Sequence, residues 1–256
     1  MMPENREFLS RFAAAPGLAV ALMLADGTIL YVNETITRLY GGGTVEEHIG
    51  SNLADLYPRE WAEEKIALLR RVAETDDRLM IRYIWEGKRI EAQYQRIPAE
   101  EEGGEPRILV TVREGTTEGD LVPEGYEVVK MDTAHFGPLS VLTPRELEVL
   151  ALIGHGKSAK EIAEMLGCSP RTVERHRDSI GKKLDKNDRV SLALIAQAAG
   201  LELRDARVKH VGPATPKSST ASSAQSGSEG RAATHTQKPV SQTEVKPDQP
   251  KASPRD

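Results

Sequence analysis

The chain has 256 residues, a formal net charge of −5 and 39% hydrophobic residues, a balance that suits two modest domains and is too ordinary to name a function. Its single cysteine, Cys168, excludes a disulfide framework and a cysteine-rich metal site, and fits a reducing cytoplasm. No apolar run approaches the ~18 residues of a membrane span and the first residues begin no secretory signal, so we expect a cytoplasmic protein without membrane contact.

The first half of the chain predicts two strands, several helices and three further strands. The predicted elements are an opening helix with Phe8, Leu9 and Phe12, strands at 17–24 and 28–32 joined by an Asp26-Gly27 turn, a short helix over 33–40, a longer helix beginning at Pro58, and strands at 79–85, 88–97 and 106–113. With Asn33 just after the second strand and Gly50 before Leu53 and Leu56, residues 8–115 resemble a PAS domain. That resemblance implies a sensor with an antiparallel five-stranded sheet, which holds a small molecule or contacts a partner protein.

The interior of this predicted domain leaves the ligand open. The apolar side chains expected inside either enclose an organic ligand or form an ordinary packed core, which we favour; they are Leu22, Ile29, Val32, Ile81, Tyr83, Tyr94 and Val110. A flavin bound through a cysteine is excluded because no cysteine precedes Cys168. His48 is the only candidate haem ligand before His135, and we expect it to be exposed in a loop. We therefore predict no cofactor and no metal.

No pattern in the chain predicts a catalytic site. Gly41-Gly42-Gly43 lacks the Gly-Lys-Ser/Thr of a phosphate loop, and neither a zinc-binding histidine pair at helical spacing nor a Gly-x-Ser-x-Gly elbow occurs. Asp76-Asp77 ends a long helix, which is the wrong place for the acidic pocket of a receiver domain. We expect that the protein is not an enzyme.

Charge divides the chain into parts. Residues 1–141 hold 15 lysines and arginines against 25 acids, net −10, whereas residues 142–201 hold 10 against 8 and residues 205–256 hold 8 against 5. Only the two C-terminal parts would be attracted to a polyanion. With 116–137, rich in glycine, proline and acids, as a linker, the acidic sensor is expected to fold over the basic face of the next domain and hold it inactive.

Three helix caps follow at short intervals. They are Thr143 before Pro144 with Glu146, Ser158 with Glu161, and Ser169 before Pro170. Gly167 should close the second helix in the left-handed conformation, and the third helix places Val173, Ile180 and Leu184 on one inward stripe. His176 falls near that stripe and is predicted to be packed. A tight glycine-containing turn between two such helices is typical of a helix-turn-helix, here at about 158–181.

The same residues resemble the LuxR-type domain shared by quorum-sensing regulators and NarL/FixJ response regulators, over residues 142–201 without a gap. The matching positions are Leu142-Thr143-Pro144-Arg145-Glu146, Glu148-Val149-Leu150, Gly156, Lys160-Glu161-Ile162-Ala163, Leu166, Ser169-Pro170-Arg171-Thr172-Val173, His176-Arg177 and Lys183-Leu184. The resemblance implies an all-α four-helix domain, predicted over 138–203. It also implies that a fourth helix from about Asp188 to Ala199 mediates dimerisation through Val190, Leu192, Leu194, Ile195 and Ala198; the alternative is that this helix only closes the domain core.

The resemblance places base contacts at Glu174, Arg175 and Asp178. Arginine can bind guanine bidentately, whereas the two acids accept only from an exposed amino group such as that of cytosine. The acids should therefore exclude DNA sequences more than they add affinity. Phosphate contacts are expected from the nearby basic and hydroxyl side chains, namely Arg171, Thr172, Arg177, Lys182 and Lys183, with Lys157 and Lys160 as further candidates.

We therefore predict an α+β protein in which a PAS-like sensor controls a dimeric, sequence-specific DNA-binding domain, followed by a disordered tail over 206–256. Double-stranded DNA and a second copy are the expected partners; RNA polymerase, a sensor partner protein and a small ligand of the sensor remain open. One alternative is a protein-interaction module that uses its helix-turn-helix only to dimerise, which Glu174 and Asp178 favour. Another is a sigma-factor-like region, but the polymerase-binding helices expected upstream are absent.

Overall fold

The N-terminal sheet begins with the predicted hairpin. The computed structural model describes residues 17–99, 104–115, 122–186 and 188–212. Strands β1 (Ala19–Met23) and β2 (Ile29–Val32) pair antiparallel around Gly27, whose φ is +92°. A Cβ at Gly27 would lie 2.7 Å from Ile66 Cγ1, so both the backbone angle and the close packing favour glycine there.

Four helices and three long strands follow in the predicted order. They are α1 (Glu34–Leu39), α2 (Val45–His48), α3 (Leu53–Leu56), α4 (Arg59–Thr75), β3 (Arg78–Trp85), β4 (Lys88–Ile97) and β5 (Arg107–Glu114). Asn33, Thr44 and Asn52 each cap a helix by accepting a hydrogen bond from a backbone N–H of its first turn. The apolar face of α4 packs on the sheet through Trp61, Leu69 and Val72.

The sheet has six strands in the described part of the chain, one more than predicted. Its order is β2-β1-β5-β4-β3-β6, and β6 (Tyr126–Lys130) pairs parallel to β3. This strand lies within 116–137, which we predicted to be a linker. The overall composition of that segment concealed a short run with two β-branched residues, Val128 and Val129, the second of which packs against the N-terminal core.

The predicted interior is confirmed except at one position. Ile29, Val32, Ile81, Tyr83, Tyr94 and Val110 belong to the core between sheet and helices. Leu22 does not, because side chains of a strand alternate between faces and β1 directs Ala21 and Met23 to that core. Leu22 instead packs with Val20 and Tyr31 in a separate cluster.

The C-terminal domain has the four predicted helices. They are α5 (Pro144–Gly154), α6 (Ala159–Met165), α7 (Pro170–Leu184) and α8 (Arg189–Ala198), with 3-10 turns at Gly137–Val141 and Leu203–Arg207. Thr143 and Ser158 form the expected capping boxes with Glu146 and Glu161, and Ser169 caps α7. Predictions that depend on adjacent residues are thus confirmed.

The two domains join through the segments that flank the helices. Strand β7 (Thr133–Ala134) pairs parallel with β8 (Lys209–His210), and Val211, buried in the N-terminal core, donates its N–H to the carbonyl of Ala134 at 3.0 Å. The Glu64 carboxylate accepts from Asp132 N at 2.6 Å and from Thr133 Oγ1 at 2.6 Å. Residues 206–212, predicted as the start of a disordered tail, therefore take part in the domain junction.

Some predictions fall outside the described residues. These are the opening helix with Phe8, Leu9 and Phe12, the linker residues 116–121, and the predicted disorder from residue 213 onward. Among the described helices, none combines the length and apolar character needed to cross a bilayer.

Candidate nucleic-acid interface

The turn between α6 and α7 fixes how the third helix of the domain is presented. Gly167 adopts a φ of +63°, as predicted for a residue that closes a helix in the left-handed conformation. Cys168 N donates to Ala163 O at 2.9 Å, and Ser169 Oγ accepts from Thr172 N at 3.1 Å. The chain reverses within three residues, so α7 packs on α6 while its other face stays open.

The open face of α7 carries cations. Arg171, Arg175 and Lys182 are exposed, whereas Val173 and Ile180 on the opposite face are buried in the C-terminal core. In the part of the chain that the structure describes, none of the three cations takes part in an ion pair. Their charges are therefore available to a polyanion.

The two acids on α7 are paired with an arginine of the same helix. Arg177 contacts Glu174 Oε2 at 2.6 Å and Asp178 Oδ1 at 3.0 Å. The pairing offsets the negative charge that these acids bring to the surface, and it also occupies Arg177, one of the predicted phosphate contacts. All three side chains are at least two-fifths exposed, so the pairs are weak and can rearrange.

A buried carboxylate anchors α7 to the start of α5. Glu146, only 4% exposed, accepts from Ser179 Oγ and from Lys183 Nζ, each at 2.6 Å, and from Thr143 N at 2.8 Å. Burial alone would raise the pKa of Glu146, but the hydrogen bonds from Lys183, Ser179 and Thr143 outweigh it and lower the pKa to about 2. Lys183, predicted to contact phosphate, is instead bound to Glu146. Nothing in the sequence near Lys183 points to this contact.

The remaining predicted interface residues have mixed positions. Thr172 is half-buried and its hydroxyl contacts Ser169 Oγ at 2.9 Å. His176, predicted to be packed, is half-buried. Lys160 is exposed, and Lys157 is half-buried with its ammonium 3.9 Å from Glu161.

The fourth helix, α8, has both a buried and an exposed apolar face. Val190 and Leu194 are 69% and 60% exposed, one helical turn apart, and Ala198 follows one turn later and is also exposed. Ile195 is half-buried. Leu192, predicted at the dimerisation face, is 1% exposed and packs in the domain core, because it lies on the side of α8 that crosses α5.

The sensor domain does not cover the open face of α7. We expected the acidic sensor to fold over it, but Arg171, Arg175 and Lys182 are exposed in the presence of the whole N-terminal domain. The domains meet elsewhere: Ile84 of β3 belongs to the C-terminal core with Leu201, at the end of the chain segment after α8. The reason is geometric, since β7 and β8 hold the opposite side of the helical domain against the sheet.

A small cavity lies in the core of the N-terminal domain. Its volume is about 20 Å³, and aromatic side chains make up much of its wall, among them Tyr40, Tyr57, Trp61 and Tyr94. His48, expected to be exposed, is 5% exposed and lines this cavity. It is buried because its Nδ1 contacts Thr44 O at 2.8 Å and its Nε2 faces the Tyr57 hydroxyl at 3.3 Å, so both ring nitrogens have partners inside.

Comparison with known proteins agrees with both domains. Residues 140–196 match the family of bacterial regulatory proteins described as the luxR family, and residues 13–118 match the PAS fold. The chain carries a PAS domain followed by a LuxR-type domain. Neither match depends on the predicted tail, and together they cover the sheet, the cavity and the four helices.

Individual relatives share mainly the LuxR-type domain. The uncharacterized response regulatory protein YgeK of Escherichia coli (strain K12) is 39% identical over 89 residues, which are 32% of this chain and 60% of that protein. The transcriptional regulatory protein LiaR of Bacillus subtilis (strain 168) is 48% identical over 59 residues, 23% of this chain and 28% of LiaR. The chain thus spans less than two thirds of the length of these relatives.

Solved structures include one with both parts. The Vibrio cholerae VqmA in complex with ligand and DNA aligns over 80% of this chain and 92% of its own, with a TM-score of 0.43 and 21% sequence identity.

Proposed function

We propose that this PAS and LuxR-type chain is a transcription regulator that binds specific duplex DNA sequences as a dimer, under the control of its N-terminal sensor. The observation that carries the proposal is the open face of α7, where Arg171, Arg175 and Lys182 are exposed and unpaired within the described part of the chain. A helix presented by such a turn fits the major groove, where its side chains reach base edges.

The roles divide along α7. Arg175 is assigned to a base edge, because an exposed arginine can bind guanine O6 and N7 together. Arg171 and Lys182 are assigned to phosphates, which supply the affinity that does not depend on sequence. Glu174 and Asp178, released from Arg177 or still paired with it, select against bases that offer no amino group.

Dimerisation is assigned to α8. Val190, Leu194 and Ala198 form an exposed apolar face on a helix whose other side is already buried in the domain core. A second copy that covers this face would place two α7 helices on one side of the DNA, and the two half-sites would lie about one helical turn apart. The LuxR-family titles of the relatives and a DNA complex among the solved structures support this proposal.

Substitutions on α7 test the proposal. Arg175→Ala should weaken binding to the preferred sequence by roughly 1–3 kcal/mol and relax the preference at one base position, whereas Lys182→Ala should weaken binding to all sequences and reduce the slope of log affinity against log salt by about one. Fluorescence anisotropy with short duplexes at several salt concentrations measures both effects. Arg78→Ala, an exposed arginine at the start of β3, is the matched control.

The alternative function makes a different prediction. A module that uses its helices only to dimerise would bind duplex DNA no more tightly than Arg175→Ala does, at any salt concentration. Equal affinity of the wild-type chain and both α7 variants would therefore contradict DNA recognition by this face.

A further inference from the structure

The cavity of the PAS domain contains an unusual wall residue. Lys65, on α4, is 2% exposed and lines the cavity together with Trp61, Tyr57 and His48. Its ammonium nitrogen lies 3.8 Å from the ring centroid of Tyr83, 4.9 Å from that of Trp61 and 5.4 Å from that of Tyr94. A lysine thus replaces an apolar residue at the centre of an aromatic core.

Lys65 has no counter-ion there. Within the described part of the chain it makes no hydrogen bond and no ion pair. Its nearest acid in sequence, Glu64, is engaged by Asp132 N and Thr133. Aromatic faces stabilise a desolvated ammonium by about 2 kcal/mol, whereas burying an ion without a partner costs several kcal/mol.

The other titratable groups around the cavity do not supply a negative charge. Burial raises the pKa of the phenols of Tyr40, Tyr57, Tyr83 and Tyr94, which stay protonated at neutral pH. His48 contacts Thr44 O and the Tyr57 hydroxyl and offers no carboxylate. Burial accordingly lowers the pKa of Lys65 well below its usual value, so its side chain is a neutral amine at neutral pH.

We propose that Lys65 is a covalent receptor for a small aldehyde, which it binds as an imine inside the PAS cavity. The amine nitrogen attacks the carbonyl carbon to give a carbinolamine, which loses water; a C=N bond forms, the C=O bond breaks, and no atom is oxidised or reduced. Tyr57, whose hydroxyl faces His48 Nε2 at 3.3 Å, lines the same cavity and supplies the proton that the departing hydroxyl needs.

The cavity also sets the size of the aldehyde. A volume of about 20 Å³ exceeds what one water requires but is far below the roughly 300 Å³ of ordinary ligand pockets. The site therefore selects compounds of a few heavy atoms. The adduct itself does not depend on DNA binding; only its role as the regulatory signal rests on the function proposed above.

Reductive trapping tests the proposal on the full-length chain. The protein is incubated at pH 7 with propionaldehyde and sodium cyanoborohydride, and alkylation of each lysine is followed by peptide mass spectrometry. Exposed Lys160 and Lys182 are internal controls, since a lysine of ordinary pKa has only about one amine in a few thousand unprotonated at pH 7. We expect Lys65 to be alkylated at least about ten-fold faster than these controls.

Size and substitution complete the test. With 1-naphthaldehyde the preference for Lys65 should disappear, and Lys65→Met should abolish the fast phase while leaving the rate at Lys160 unchanged. Alkylation of Lys65 no faster than that of Lys160 in the wild-type chain would overturn the proposal, and would mean that the three rings hold Lys65 as a charged ammonium. The wild-type comparison decides the question even where the variant does not fold.

Discussion

Glu146 shows how one side chain can set the position of the candidate DNA-reading helix. It caps α5 through Thr143 and holds α7 through Ser179 and Lys183. Because glutamine keeps the cap but loses the charge opposite Lys183, we expect Glu146→Gln to lower the free energy of unfolding by about 1–3 kcal/mol. Urea denaturation measures the loss, with Glu164→Gln, an exposed glutamate on α6, as the control expected to change stability little.

The pH dependence of this contribution has a definite sign. The pKa of Glu146 falls from 4.5 to about 2 on folding, so its stabilisation is complete above the unfolded value and is lost as the pH falls from about 5 towards 2. A shift of this size corresponds to roughly 3 kcal/mol. The difference in unfolding free energy between the wild type and Glu146→Gln should therefore shrink to near zero at low pH, and a difference that stays constant down to pH 3 would refute the assignment.

At the residue scale, prediction from the sequence succeeded where the partner was close in the chain. The caps Thr143, Ser158 and Ser169 satisfy backbone groups three residues away, so local spacing identifies them. Lys183 meets Glu146 across 37 positions of the sequence, a contact that only folding determines. Lys65 left a signal that was missed: it follows Trp61 by four residues and precedes Leu69 by four, which places it on the apolar stripe of α4.

At the scale of helices, the crossing of α5 and α8 depends on the absence of a side chain. A Cβ added to Gly154 would lie 2.6 Å from the Cβ of Ala196. We expect Gly154→Ala to destabilise the protein by about 1–3 kcal/mol through overpacking, despite the better helix propensity of alanine. The double variant Gly154→Ala with Ala196→Gly should regain part of that stability in thermal or urea denaturation; an equally unstable double variant would place the strain elsewhere.

The exposed face of α8 makes a separate prediction. Leu194→Glu introduces a charge on a side chain that is 60% exposed, so the fold should persist while the proposed dimer dissociates. Sedimentation velocity should show a dimer for the wild type and a monomer for the variant. Val141→Glu, which alters another exposed apolar residue outside α8, should remain dimeric. Dimers of unchanged strength in Leu194→Glu would exclude this face.

Element prediction was accurate for helices and hairpins and incomplete for the sheet. Lys88–Ile97 was predicted with its observed bounds because its alternation and flanking turn are local. Tyr126–Lys130 was missed because it is stabilised by pairing with β3, about 50 residues earlier, more than by its own pattern. The burial of Leu192 follows from the crossing of α8 with α5, which the apolar run Val190 to Ala198 does not specify.

At the scale of the molecule, the sensor and the helical domain are connected by more than a linker. Lys130 contacts both carboxylate oxygens of Glu202 at 2.6 and 2.7 Å, and Arg204 donates to Met131 O at 3.0 Å. Together with β7, β8 and Val211, these contacts tie the segments before and after the four helices to one side of the sheet. The cavity and the open face of α7 thus belong to domains with a shared boundary, a route for control that leaves α7 uncovered.

The central claim is that the full-length chain reads a DNA sequence as a dimer. The most direct measurement is selection of bound duplexes from a random library by the full-length protein at a stated low salt concentration, with Arg175→Ala selected in parallel. We predict a two-fold symmetric motif with half-sites about one helical turn apart, and loss of preference at one position per half-site in the variant. No enriched motif even at low salt, where phosphate contacts are strongest, would contradict the account.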